Sequence, residues 1–112
     1  MRKIETQMTN AIQSSIDWKS ANTSVYFDVT SQTSRVFLHG NHIATVADDY
    51  VEIFDGGKQT KTTKSRLNAI INEFCEPTTD GVFQKNYQWF VRDNNVTKKF
   101  TNGYIFSWLS IS

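Results

Sequence analysis

Apolar positions at the start of the chain follow a helical period. Ile4, Met8, Ala11, Ile12 and Ile16 recur at i, i+4, i+7, i+8 and i+12, while Gln7, Asn10 and Gln13 take the opposite side. The spacing predicts an amphipathic helix over residues 2–16 that fails near Ser14-Ser15. Residues 17–22 read as a connection, with Trp18 at the edge of the core. From residue 23 to residue 54 the period changes to two. Val25, Phe27 and Val29 alternate with Tyr26 and Asp28, and Val36 and Leu38 with Arg35, Phe37 and His39. Ile43 and Thr45 oppose Ala44 and Val46, and Val51 and Ile53 alternate with Glu52 and Phe54. Turn residues separate these runs: Thr30-Ser31-Gln32-Thr33-Ser34, then Gly40-Asn41, then Asp48-Asp49. Gly and Asn tolerate positive φ, so Gly40-Asn41 predicts a two-residue hairpin turn. The pattern is an antiparallel meander of four strands.

Asp55-Gly56-Gly57 ends the meander. Leu67, Ile70, Ile71 and Phe74 then return to helical spacing, predicting a second helix from residue 62 or 63 to residue 74, capped by Thr62 or Thr63. Pro77 and Thr78-Thr79-Asp80-Gly81 stop it. Short alternating runs follow: Val82-Phe83-Gln84, a turn at Lys85-Asn86, then Tyr87, Trp89 and Val91 against Gln88, Phe90 and Arg92. Asp93-Asn94-Asn95 is another turn, residues 96–100 form a further strand, and Asn102-Gly103 is a hairpin turn into a last strand over residues 104–109. A helix, four strands, a helix and three or four strands indicate an α+β fold, with two helices packed on one face of an antiparallel sheet.

The chain has 112 residues, 38% of them hydrophobic and 21% charged, which suits one globular domain rather than a disordered segment. A net charge of +1 leaves no global field, so every electrostatic argument is local. Cys75 is the only cysteine, which excludes an intramolecular disulfide and a cysteine-based zinc site and points to a reducing cytosol. The N-terminus lacks the apolar run of a signal peptide, and no stretch reaches the length of a membrane span. Aromatics make up 13%, enough to fill a small core and leave some at the surface.

Three constellations could carry function. The segment Gly57-Lys58-Gln59-Thr60-Lys61-Thr62-Thr63-Lys64-Ser65-Arg66 has four cations, four hydroxyls and no anion. It lies at a predicted helix N-terminus, where free amides and the helix dipole favour an anion. Lys58, Lys61, Thr62, Thr63, Lys64 and Arg66 are therefore candidates for binding a small anion such as a nucleotide, or a nucleic-acid backbone. A solvated loop with threonine caps is the alternative. The glycine spacing of a phosphate loop is absent. His39 and His42 flank a turn and form a candidate polar hairpin site, against the alternative of two unrelated histidines. A metal would need a third and fourth ligand; Asp48, Asp49 and Asp55 are available in the sequence but nothing fixes their geometry, so no metal or other cofactor is expected. No nucleophile stands with a base, so no enzyme activity is expected. In the C-terminal half, Tyr87, Trp89, Phe90 and Trp108 are candidates for an aromatic surface, interleaved with Lys85, Arg92, Lys98 and Lys99. Such a surface can stack bases or anchor a protein partner, while the alternative places most of these rings in the core.

Several segments together resemble a family of small proteins encoded by tailed bacteriophages. They are Met1-Arg2-Lys3-Ile4-Glu5, Trp18-Lys19-Ser20-Ala21-Asn22-Thr23, Leu38-His39-Gly40-Asn41-His42-Ile43-Ala44, Thr62-Thr63-Lys64-Ser65-Arg66-Leu67-Asn68-Ala69 and Gln84-Lys85-Asn86-Tyr87-Gln88-Trp89-Phe90. The resemblance implies a setting, the cytoplasm of an infected bacterium. There a non-catalytic accessory protein would bind and modulate a host protein or defence complex. Nucleic acid is the alternative partner, and a dimer through a sheet edge or exposed patch is open.

Overall fold

The computed structural model describes residues 3–107. Its elements in chain order are α1 (Lys3–Gln13), β1 (Trp18–Ser20), β2 (Thr23–Asp28), β3 (Thr33–Leu38), β4 (Asn41–Val46) and β5 (Tyr50–Ile53). There follow α2 (Lys61–Phe74), β6 (Gly81–Lys85), β7 (Gln88–Asp93), β8 (Val96–Lys99) and β9 (Tyr104–Ser107). The α+β class stands, but the strands form two antiparallel sheets rather than one. A six-stranded sheet has the order β1-β2-β3-β4-β5-β9, and a three-stranded sheet has the order β6-β7-β8.

Met8, Ala11 and Ile12 bury one stripe of α1. The helix ends at Gln13, earlier than the periodicity extends, because Ser15 takes a positive φ of 55°. Ile16, predicted on the core face, is exposed as a result. The expected connection after it contains a strand: Trp18↔Val25 and Ser20↔Thr23 pair β1 with β2. Val29 lies beyond the end of β2, in the turn, and is exposed.

Two predicted turns are displaced by one residue. The β3–β4 turn is His39-Gly40, with φ of 53° and 78°, and the β6–β7 turn is Asn86-Tyr87, with φ of 52° and 65°. Paired positive φ values match the right-handed twist of the flanking strands. Tyr87 is therefore a turn residue and not a strand residue. The α2 cap is also displaced. Thr60, in extended backbone conformation, accepts the Thr63 N–H at 3.1 Å, so neither Thr62 nor Thr63 is the cap.

The register between β3 and β4 slips after Val36↔Ala44, and Phe37 then pairs with His42. Ile43 is the extra residue of this bulge and is buried. It packs so closely on Gly56 (φ 72°) that a Cβ there would lie 3.1 Å from Ile43 Cγ2. Glycine at that position answers both the backbone conformation and the contact.

Val25, Val36, Ala44, Val46, Val51, Ile53 and Phe106 share the inner face of the large sheet, as the cross-strand pairs require. They meet Met8, Ala11 and Ile12 of α1 and Leu67, Ile70 and Ile71 of α2 in one core. Val82, Trp89, Val91 and Phe100 extend that core beneath the small sheet. Asn68 fastens the small sheet to α2. Its Nδ2 donates to the Val82 carbonyl and its Oδ1 accepts the Val82 N–H, both at 2.8 Å, so it stands in for a strand neighbour at the β6 edge. Asn102-Gly103 does not join hairpin partners. The Gly103 N–H bonds the Ile53 carbonyl at 2.8 Å, and β9 pairs with β5 instead of β8.

Candidate functional site

The basic segment divides into two parts. Lys58 and Lys61 are exposed, Thr62 and Lys64 are half-buried, and Thr63 and Arg66 are buried. Arg66 points away from solvent. Its Nη1 lies 2.8 Å from Glu5 Oε2, its Nε donates to Thr23 Oγ1 at 3.0 Å, and its Nη2 reaches Asn22 Oδ1 at 3.5 Å. Ser65 donates to the same Glu5 oxygen at 2.5 Å. Helical spacing explains the split: Thr63, Arg66, Leu67 and Ile70 fall on the buried stripe. Lys58, Thr62 and Thr63 line a cleft of about 290 Å³ beside the start of α2, and His39 and Asp55 line it too. Asp55 accepts the Gly57 N–H at 2.8 Å and sets a negative charge among the lysines.

The two histidines have different surroundings. His39 sits exposed in the turn. His42 lies between Phe37 and Phe54, with ring centroids 5.5 and 4.7 Å away, and its Nε2 is 2.8 Å from Thr45 Oγ1. Burial holds its pKa below the ordinary value of 6.5. The Ala44 backbone and Glu52 pull it partly back, and Arg35 adds to the lowering. Among the described residues, no group of three or more His, Cys, Asp or Glu is placed to hold a metal ion. Burial, with Asp80 and Asp93 nearby, raises the Cys75 thiol to about 12, so it is not a thiolate nucleophile at neutral pH.

The C-terminal aromatics separate by strand face. Trp89 is buried against Phe100 in an edge-to-face contact at 5.3 Å, so it belongs to the core. Tyr87, at the hairpin tip, is 95% exposed. Phe90 faces outward and stacks on Phe83 at 5.6 Å with an interplanar angle of 23°. Trp108 lies outside the described residues. The pairs Phe83↔Phe90, Phe90↔Lys99, Lys85↔Gln88 and Gly81↔Arg92 place Phe83, Phe90, Lys85, Arg92 and Lys99 on one outer face. Asp93, the only acid in these three strands, is on the opposite face and accepts the Tyr104 hydroxyl at 2.7 Å.

A second aromatic surface was not among the candidates read from the chain. Both helices pack on the inner face of the large sheet. Its outer face carries Tyr26, Arg35, Thr45, Glu52 and Ile105 in one cross-strand row, through the pairs Tyr26↔Arg35, Arg35↔Thr45, Thr45↔Glu52 and Glu52↔Ile105. Beside that row stand Phe37 and Phe54, each in ring contact with His42 between them. Tyr26 is 49% exposed and Ile105 48%. Arg35 is paired with Asp28 at 3.0 Å. A shallow groove of about 440 Å³ runs past Tyr26 and Phe37 to Asp17 and Lys19. The sequence held a signal for this surface: Tyr26, Phe37 and Phe54 occupy the strand positions that alternate with the core, where polar residues are usual.

A family model described as Kyanoviridae Gp96 protein matches residues 1–107, so the chain belongs to that family, a family of small cyanophage proteins. No curated protein and no solved structure matches the chain.

Proposed function

We propose that this member of the Kyanoviridae Gp96 family is a non-catalytic accessory protein that binds and modulates a host protein or defence complex in the cytoplasm of the infected cell. The observation that carries the reading is the outer face of the large sheet. Tyr26, Phe37, His42, Phe54 and Ile105 meet solvent on a side that neither described helix covers. Rigid aromatics beside an arginine are the usual anchors of protein interfaces, and apolar rings left in water gain free energy when a partner covers them. The charges on this face, Lys19, Arg35, Asp28 and Glu52, are of both signs, which favours a protein surface over a polyanion. No helix among the described residues is long and apolar enough to cross a membrane.

The test is a capture experiment from the lysate of a susceptible host, comparing the wild type with Tyr26→Glu/Ile105→Lys. Both positions are exposed, so circular dichroism and melting should be unchanged. The expected result is one identified, stoichiometric host protein that co-purifies with the wild type and is lost with the variant. Equal recovery with both proteins, or no stoichiometric partner, overturns the proposal.

The reading of the basic segment as an anion site is weaker after Arg66 and Thr63 are placed in the interior. Lys58 and Lys61 remain exposed and Thr62 and Lys64 half-buried, with Lys58 and Thr62 lining the cleft beside Asp55.

A further inference from the structure

The small sheet presents a face of different chemistry from the large one. Its outer side is a continuous row of Phe83, Phe90 and Lys99 across three strands, with Lys85 and Gln88 on one flank and Arg92 and Thr97 on the other. Phe83 is 36% exposed and lies in ring contact with Phe90, and Lys85 and Lys99 are exposed. The strands contribute three cations to this face and no acid, since the Asp93 carboxylate is engaged by Tyr104 on the other side. The core does not need these rings: Val82, Trp89 and Val91 alternate with them and fill the interior. Tyr87 adds a further exposed ring at the tip of the same hairpin, between Lys85 and Gln88.

A stacked pair of aromatic rings whose charged neighbours on the face are all cations complements one class of polymer, whose flat bases alternate with phosphates. We infer that the outer face of β6, β7 and β8 is a platform for single-stranded nucleic acid. Bases stack on Phe83 and Phe90, and Lys85, Arg92 and Lys99 neutralise the flanking phosphates. Stacking requires bases freed from a duplex, so the site selects single strands. Neither the rings nor the cations distinguish ribose from deoxyribose, so DNA and RNA should bind alike. Strand rise and strand spacing make the platform roughly 10 Å across, room for about two or three bases. This function is separate from the host-protein reading and uses the opposite end of the molecule's chemistry: an all-cationic face in place of a charge-balanced one.

The test is fluorescence anisotropy with labelled oligo-dT and oligo-U of about eight nucleotides, a duplex of equal length, and polyglutamate as competitor, at a series of salt concentrations. The single strands should bind within about threefold of each other, the duplex at least tenfold more weakly, and polyglutamate should compete poorly. The slope of log K against log salt should be about −2, from three phosphate contacts at about 0.7 each on single strands. Phe83→Leu keeps an apolar side chain without a ring and should weaken binding by roughly fivefold or more, while Phe83→Tyr should bind nearly as the wild type does. Lys99→Ala should lower the salt slope by about 0.7. Thermal melting of each variant separates loss of binding from loss of fold. The inference is overturned by no binding at low salt, by equal or tighter binding of the duplex, by a strong preference for either sugar, by effective competition from polyglutamate, or by unchanged affinity in a folded Phe83→Leu variant.

Discussion

Arg66 on α2 and Glu5 on α1 form an ion pair at 2.8 Å with both side chains sealed from solvent. Thr23 and Asn22, at the start of β2, and Ser65 supply the remaining contacts of the pair. One polar cluster therefore joins both helices to the large sheet. Removing one partner of such a pair leaves a buried charge unanswered, which costs about 3–5 kcal/mol. Arg66→Ala and Glu5→Ala should each lower the urea midpoint sharply. The double variant Glu5→Leu/Arg66→Met should cost much less than the sum of the two. Additive losses would show that the pair is not coupled.

The start of α2 makes a narrower prediction. Thr60, not Thr62, accepts the Thr63 N–H. Thr60→Ala should destabilise the protein by about 1 kcal/mol, whereas Thr62→Ala should fall within about 0.5 kcal/mol of the wild type. Equilibrium denaturation of the two variants side by side decides which threonine is the cap.

His42 makes stability depend on pH in one direction. Burial is the largest influence on it and, with Arg35, outweighs the raising effects of the Ala44 backbone and Glu52, so the folded pKa lies below 6.5. The folded state therefore favours the neutral ring, while the unfolded chain takes up a proton near 6.5. The contribution is complete above 6.5 and is lost as the pH falls through the lower, folded value. His42→Gln removes this dependence. The difference in denaturation midpoint between wild type and His42→Gln should change between about pH 7.5 and pH 5, with the wild type losing more on acidification. A difference that is flat with pH would show that the ring is not shifted.

Tyr87 holds φ at 65° with almost no contact to the rest of the fold. The left-handed conformation costs an ordinary residue about 1–2 kcal/mol, more than the roughly 0.5–1 kcal/mol that glycine loses in backbone entropy. Tyr87→Gly should therefore raise stability by a few tenths to about 1 kcal/mol and keep the hairpin, as read by melting temperature and far-ultraviolet circular dichroism. A loss of stability would mean that the tyrosine ring makes contacts the fold depends on.

Much of the architecture was legible along the chain. Two helical stripes and four alternating runs placed α1, α2 and the β2–β5 meander, because the periods of 3.6 and 2 are set by local backbone geometry that any chain with those patterns shares. β1 was not legible, since Trp18-Lys19-Ser20 is too short to show alternation and exists only because Val25 and Thr23 offer it a partner edge. The turns at His39-Gly40 and Asn86-Tyr87 were displaced by one residue. Register is decided by pairing across the whole strand and can hold His39 and Tyr87 in conformations their own propensities disfavour.

The candidate surfaces divide along the same line. Local sequence determined that cations, hydroxyls and aromatics exist at residues 58–66 and 82–100, and it determined the α+β order of elements. Only tertiary structure decided which of them face solvent. Arg66 left the basic segment for the interior because Glu5, sixty-one residues away, meets it there. Trp89 entered the core while Phe90, its neighbour, came to the surface. The last strand crossed to β5 instead of pairing with β8, and this divided one expected sheet into two with different outer faces. A side chain's chemistry belongs to its residue, but its exposure depends on contacts between distant segments, and local patterning does not encode those contacts.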